Sequence, residues 1–222
     1  MSIEEETTLS LPEEALLLAL RDKAGTLHSS QGSQCALAGA FFAELALRGQ
    51  IKIEGECIKL LGRSDASKTQ VDLLLNEIYS EIEASPNTFP SKFWIALVAS
   101  RGELLTRVAG SLTERGILEA EVDTFAWIFR RRRWPELDPL PERELLERLR
   151  KVIFDQVDTV APRTAALLAL AYRSRVLEPV FGQELESRRE HIEQVIAGNH
   201  ALDTTQAALD QQAAAFWFLG VM

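Results

Sequence analysis

Four consecutive arginines stand beside an unusual concentration of aromatic residues, in a stretch that we call the aromatic-basic segment, Phe125–Trp134. Rings with adjacent cations are typical of a membrane interface, where aromatic side chains lie at headgroup depth and arginines meet anionic lipid. Four arginines near such a surface would add roughly 4 kcal/mol of attraction. The residues expected to contact the membrane are Phe125, Trp127, Phe129, Arg130, Arg131, Arg132, Arg133 and Trp134.

The strand period predicts how this segment presents its side chains. Alternate positions of a strand face opposite sides, so Phe125, Trp127 and Phe129 would share one face. Two other interpretations stay open. The rings belong to the core while the arginines pair with acids such as Glu136 and Asp138, or the segment binds a nucleic acid or a protein.

Residue patterns for catalysis or metal binding are scarce. The three histidines, His28, His191 and His200, stand in no HExxH or other ligand spacing, and Asp155 and Asp158 form an ordinary i, i+3 pair. The sequence contains no GxxxxGK, GxGxxG or GxSxG motif. We therefore expect no enzymatic activity, no cofactor and no metal site.

Composition and charge narrow the function classes further. The 222 residues, 46% hydrophobic and 26% charged, suit one large globular domain or two small ones. The net charge of -9 repels polyanions, so we expect no nucleic-acid partner. The start, residues 1–9, carries three glutamates where a targeting peptide needs basic or apolar residues, and we expect an acidic tail there and a cytoplasmic protein. Residues 10–222 would form one domain.

Hydrophobic periodicity predicts a mostly α fold, a single compact helical domain with two short β-hairpins, the second protruding. Helix-like spacing marks nine segments, and the helix from Ser33 to Arg48 is apolar almost all round, which places it inside the fold. The first hairpin starts at Ile51, and the second has its turn at Asp123-Thr124. The predicted helices run from Ser10 to Asp22, Ser33 to Arg48, Thr69 to Glu83, Pro90 onward, Glu103 to Arg115, Glu142 to Asp158, Pro162 to Arg175, Pro179 to Ile196, and Asp203 to the end.

Several stretches in register resemble the Golgi phosphoprotein 3 family, and together they span nearly the whole chain. They are Leu11–Asp22, Glu44–Ile51, Leu112–Leu118, and Leu167–Tyr172 with Val176–Glu178. Each is a pattern of core and turn residues.

The resemblance implies a helical domain that binds phosphatidylinositol 4-phosphate on membranes, with an inserting hairpin that corresponds to Phe125–Trp134. It implies a peripheral membrane protein with an anionic phospholipid partner and a protein client, located on the Golgi cytosolic face only in a eukaryotic source. Homo-oligomerisation through the hairpin would hide its rings away from a membrane. The alternative is a protein-interaction adaptor without specific lipid recognition.

The family's headgroup residues are a tryptophan and three arginines, and by position they fall near Ser29, Ala38, Gly102 and Leu105, so none is retained. This indicates a divergent member, consistent with a prokaryotic source. The cations nearest those positions are the headgroup candidates of this chain: Lys23, His28, Arg101 and Arg107. The basic N-terminal extension that holds coat proteins in some relatives is replaced by Glu4-Glu5-Glu6, so coat binding is not expected.

Overall fold

The computed structural model describes residues 9–21, 25–27, 30–63, 69–125, 129–155 and 159–197. This part of the chain is mostly helical, as predicted, with three two-stranded antiparallel sheets. The helices are α1 Leu11–Ala19, α2 Ser30–Leu47, α3 Gln70–Ala84, α4 Ser91–Ala99, α5 Leu104–Glu114, α6 Leu140–Phe154, α7 Pro162–Arg173, α8 Glu178–Phe181, α9 Glu184–Ser187 and α10 Arg189–Ala197. The strands are β1 Leu20–Arg21, β2 Thr26–Leu27, β3 Ile51–Glu54, β4 Cys57–Leu60, β5 Glu121–Phe125 and β6 Phe129–Arg133.

Helix α2 forms the centre of the core, and its predicted burial is confirmed. Leu37, Phe41, Phe42 and Leu45 are buried almost completely. Helices α1, α4 and α7 pack around it, and α1 also contacts α5 and α6. A helix that is apolar on all sides is stable in water only when neighbouring elements cover it. The apolar surface of α2 therefore explains why α1, α4 and α7 pack around it.

The predicted β3–β4 hairpin is also confirmed, with Ile51 opposite Leu60 and Glu54 opposite Cys57. Its two-residue turn begins at Gly55, whose φ of +61° suits a residue without a side chain. Ile51 and Ile53 are buried whereas Glu54 is exposed. One face of this hairpin therefore closes the core beneath α2.

The predicted turn of the second hairpin was wrong. Asp123 and Thr124 lie inside β5, which pairs with β6 from Glu121 opposite Arg133 to Phe125 opposite Phe129. The connecting residues 126–128, which include Trp127, lie outside the described residues. Phe125 and Phe129 are therefore cross-strand partners and not successive positions of one strand. This register places acidic positions opposite arginine positions, which favours the pairing.

A third strand pair was not predicted at all. The first helix ends at Ala19 and not at Asp22, because Leu20 turns to an extended conformation and pairs with Leu27. Gly25 lies in the turn between β1 and β2 with φ of +58°, and its carbonyl oxygen accepts a hydrogen bond from the Trp134 amide at 3.0 Å. This turn therefore anchors the start of the chain to the end of the β5–β6 hairpin.

The helix predicted over Pro179–Ile196 is divided into α8, α9 and α10. Gly182 takes φ of +56° at the end of α8, and this left-handed residue stops the helix. The helix predicted from Asp203 lies outside the described residues. Within the described ranges, no helix has both the length and the apolar character that crossing a bilayer requires.

Gly25 offers a direct test of the docked turn. A Cβ at this position would lie 2.2 to 2.5 Å from the backbone of Trp134 and Pro135. We expect Gly25→Ala to lower the free energy of unfolding by more than the ~1 kcal/mol that the left-handed conformation costs, because the steric clash adds to it. Urea denaturation measures this loss.

Gly55→Ala is the matched control, because its φ is also positive but nothing lies within 4 Å of the added methyl group. It should cost only the left-handed conformation, about 1 kcal/mol. Equal losses in the two variants would contradict the close packing at Gly25.

Candidate functional site

The β5–β6 hairpin is fixed at its base. The Glu119 amide donates to the Pro135 carbonyl oxygen at 2.9 Å, and Leu118 and Glu136 form an isolated bridge. Trp134 is half-buried and packs against the core, whereas the side chain of Val122 is 59% exposed. The hairpin thus leaves the body of the protein from a rigid base, with an exposed apolar side chain at Val122.

The register separates the arginine positions between the two faces of the hairpin. Arg131 is opposite Asp123 and Arg133 is opposite Glu121, so this face holds equal numbers of acidic and basic positions. The other face holds Arg130 opposite Thr124 and Arg132 opposite Val122, with no acid. The two acids opposite arginines across the hairpin are Glu121 and Asp123 of β5.

The hairpin also contacts α5. The Arg132 Nη1 atom donates to the Thr106 hydroxyl at 3.3 Å, and Arg107 is the next residue of that helix. Arg132 therefore reaches the helix from which Arg107 extends to Glu77 of α3.

Arg101 and Arg107, two of the predicted headgroup residues, both pair with glutamates of α3. Arg107 binds Glu77 through both terminal nitrogens, at 2.6 and 2.8 Å, and Arg101 binds Glu81. The hydrogen bonds from Arg107 hold the pKa of Glu77 below its ordinary value, and the positive charge of Arg101 adds to this. The structure thus brings both arginines to one face of α3, each already engaged by a carboxylate.

The other predicted headgroup residues, Lys23 and His28, lie outside the described residues. Ala38 is completely buried in α2, so the position where the resemblance places a family arginine is a core position in this chain. Among the histidines, the His191 Nε2 atom lies 2.8 Å from the Val152 carbonyl oxygen, a structural contact between α10 and α6. No cluster of three metal-ligand side chains occurs in the described part of the chain.

A set of buried carboxylates lies at the start of α1 and was not predicted from the sequence. Glu44 of α2 is 2% exposed and accepts the Leu11 amide at 2.9 Å, an N–H that the first turn of a helix cannot satisfy itself. Arg163 binds both Glu44 oxygens, at 2.9 and 3.1 Å, and Arg48 binds one at 2.8 Å. These bonds, led by those of Arg163, hold the pKa of Glu44 below its ordinary value despite burial.

Glu13 joins the same helix start to α5. One Glu13 oxygen accepts the Ser10 amide at 2.8 Å, and the other accepts the Ser111 hydroxyl at 2.9 Å. Arg115 lies 3.2 Å from the carboxylate. The helix start predicted at Ser10 is confirmed, and the contact between Ser10 and Glu13 caps it.

Glu14 is the least satisfied of the three. It is 3% exposed, and one oxygen accepts the Arg148 Nη2 atom at 2.7 Å while Oε2 has no hydrogen-bond partner. Burial raises the pKa of Glu14, and the attraction of Arg148 offsets only part of this rise. Two adjacent glutamates in an otherwise apolar helical run were the available signal for this cluster.

Two comparisons with known proteins bear on this architecture. The family model of Golgi phosphoprotein 3 (GPP34) matches residues 11–213. Vacuolar protein sorting-associated protein 74 of Eremothecium gossypii is 29% identical over an alignment of 209 residues. The match covers 79% of this chain. The match takes in 62% of that relative, so the chain spans somewhat less than two thirds of its length.

Glu44 supports a prediction on stability. Glu44→Gln would leave Arg163 without its buried counter-charge and Arg48 with Asp72 alone, and we expect a loss of about 3 kcal/mol in the free energy of unfolding. Urea denaturation of the variant measures it. The control Glu54→Gln removes an exposed partner of Lys59 and should leave stability nearly unchanged. Similar midpoints for Glu44→Gln and wild type would contradict the role assigned to this carboxylate.

Glu14 supports a prediction on pH. Because its folded pKa lies above the ordinary value of 4.5, ionised Glu14 lowers stability at neutral pH, and this cost disappears as pH falls toward 4.5. The wild type should therefore gain stability relative to Glu14→Gln between pH 7 and 5. Glu44 stays ionised over this range in the folded protein, because its pKa lies below its ordinary value of 4.5, so its own titration adds little to the difference. Urea titrations at several pH values measure that difference, and a constant value would contradict the raised pKa.

Proposed function

The chain belongs to the Golgi phosphoprotein 3 family, and we propose that it is a peripheral membrane protein that contacts anionic lipid through the β5–β6 hairpin. The observation that carries this proposal is the arginine strand β6 on an otherwise acidic chain of net charge -9. Such a strand gives a local attraction that the whole molecule lacks.

The geometry of the hairpin supports a lipid contact. Its face with Arg130 and Arg132 has no acidic position opposite, and Val122 on that face is exposed. An apolar side chain beside basic positions that have no acid across the strand pair suits the headgroup region, where insertion and charge attraction act together. Because Trp134 already holds the base of the hairpin against the core, membrane binding does not have to fix the position of that base.

A phosphoinositide headgroup, phosphatidylinositol 4-phosphate in particular, would lie beside the hairpin at the α5 surface. Thr106 of α5 binds Arg132, Arg107 follows Thr106 in that helix, and Arg101 lies near Glu77, the partner of Arg107. A phosphate is a good ligand for such guanidinium groups. Because Glu77 and Glu81 already occupy Arg107 and Arg101, the headgroup would have to displace these carboxylates.

Co-sedimentation with vesicles tests the proposal. The vesicles contain phosphatidylcholine alone, phosphatidylcholine with phosphatidylserine, or phosphatidylcholine with phosphatidylinositol 4-phosphate, at low and at physiological salt. We expect binding to both anionic compositions, and binding to the phosphoinositide that survives physiological salt. Binding to any anionic vesicle that fades with salt would indicate charge attraction by the hairpin alone. Absence of binding to all three would overturn the proposal and favour a protein adaptor.

Substitutions test whether vesicle binding depends on the hairpin or only on the net charge of the protein. Replacing Arg130, Arg131, Arg132 and Arg133 by Ser should abolish binding to anionic vesicles. The matched control replaces four exposed arginines elsewhere, Arg143, Arg150, Arg175 and Arg189, and changes the net charge equally. Circular dichroism confirms that both variants fold. Equal loss in the two variants would show that binding follows net charge and not the hairpin.

The headgroup part of the proposal has its own variant. Arg101→Gln with Arg107→Gln should reduce binding to phosphoinositide vesicles while binding to phosphatidylserine vesicles stays unchanged. We expect a reduction of about tenfold, as for the loss of a charged hydrogen-bond pair. An equal effect on both vesicles would assign these arginines to general attraction.

A further inference from the structure

Two glutamates of α3, Glu77 and Glu81, lie on the same face of the helix. They are four residues apart, which places them one turn from each other, and two carboxylates at this spacing repel each other. Both side chains are 46% exposed, so they belong to the surface and not to the core. The arginines that offset this repulsion are Arg107 and Arg101.

Both arginines come from outside α3. Arg107 belongs to α5, and Arg101 lies in the short connection between α4 and α5. The Arg107 guanidinium donates to both oxygens of Glu77, at 2.6 and 2.8 Å, and Arg101 donates to Glu81. A guanidinium group binds a phosphate with the same fork of N–H groups. The two glutamates therefore take the place of an anionic ligand.

These ion pairs lie where they can open. The side chains of Arg101 and Arg107 are 18% and 22% exposed, so a ligand can reach them when the carboxylates turn away. An ion pair at the surface contributes little to the stability of a protein. The fold therefore does not depend on these two pairs, and a more strongly charged anion can replace the carboxylates.

A phosphomonoester is such an anion. It carries about 1.5 to 2 negative charges at neutral pH and has three acceptor oxygens, whereas a carboxylate or a phosphodiester carries a single charge. Exchange of Glu77 for a phosphodiester replaces one single charge by another, and the glutamate has the advantage of belonging to the same molecule. Exchange for a phosphomonoester brings additional charge to the arginines.

We propose that Glu77 and Glu81 are an internal competitor for the headgroup, which a phosphomonoester displaces from Arg107 and Arg101 and a phosphodiester does not. This inference rests on the proposed function, because it concerns the same arginines. It adds a basis for selectivity. Phosphatidylserine and phosphatidylinositol carry only a phosphodiester and leave the ion pairs closed, whereas a phosphoinositide opens them.

Vesicle co-sedimentation of Glu77→Gln with Glu81→Gln tests the competitor. We expect this variant to bind vesicles of phosphatidylcholine with phosphatidylinositol 4-phosphate about fivefold more tightly than the wild type, the scale of two exposed ion pairs. Binding to vesicles with phosphatidylinositol should also become tighter, because the freed arginines accept a phosphodiester. Glu56→Gln with Glu83→Gln is the matched control, which changes the net charge equally at exposed glutamates that bind neither arginine. An equal gain in the control would overturn the proposal.

A second variant assigns the gain to the arginines. When Arg101→Gln and Arg107→Gln are added to Glu77→Gln and Glu81→Gln, the net charge returns to that of the wild type and the gain should disappear. A gain that persists would overturn the proposal. Circular dichroism confirms that each variant folds.

The competitor and the proposed function fail in different ways. If the wild type binds phosphoinositide vesicles and the glutamate variant binds them no more tightly than its control, the competitor alone is overturned. If neither protein binds any anionic vesicle, both inferences are overturned. Binding by the glutamate variant alone would support the competitor and show that it closes the arginines completely in the wild type.

Discussion

The carboxylate of Glu44 is the contact on which the arrangement of the helices depends. It lies in the central helix α2, and it binds the first amide of α1 together with Arg163 of α7. A buried carboxylate without partners would cost several kcal/mol of stability. The packing of α2 is therefore favourable only when α1 and α7 bring their partners to Glu44. Arg48 extends the contact to Asp72 at 2.7 Å, which adds α3. Glu44 thus joins three helices directly, and Arg48 adds the fourth.

The position of α1 has consequences on both sides of the molecule. Once its first turn is fixed, Glu13 faces Ser111 of α5, and Glu14 faces Arg148 of α6. The other end of α1 leads directly to the β1–β2 turn, where Gly25 contacts Trp134. The contacts of Glu13 and Glu14 at one end of α1 and the base of the hairpin at the other therefore depend on the same short helix.

Helix α5 connects the hairpin with the start of α1. Thr106, near the start of α5, binds Arg132 of the hairpin, whereas Arg115, just beyond its end, lies 3.2 Å from Glu13 of α1. The eleven-residue helix makes about three turns, so these two contacts lie at its opposite ends. One helix therefore links the surface proposed for lipid to the start of α1.

The division between sequence and tertiary structure follows from the range of the interactions. Local patterns determined the mostly α fold, the buried α2, the β3–β4 hairpin and the capped start of α1, because each depends on residues within one or two turns. Four core patterns in register also indicated the family. The position of the second hairpin turn was not determined, since cross-strand pairing of Glu121 with Arg133 decided it.

Contacts between distant residues decided the rest. Glu13 meets Ser111 across 98 positions, and Glu44 meets Arg163 across 119. The predicted Arg101 and Arg107 meet glutamates of α3 that no local pattern connects to them. The sequence by itself determined which residue types could bind an anionic surface. Only the tertiary structure decided which arginines already have carboxylate partners, because burial and partner choice arise when the helices pack.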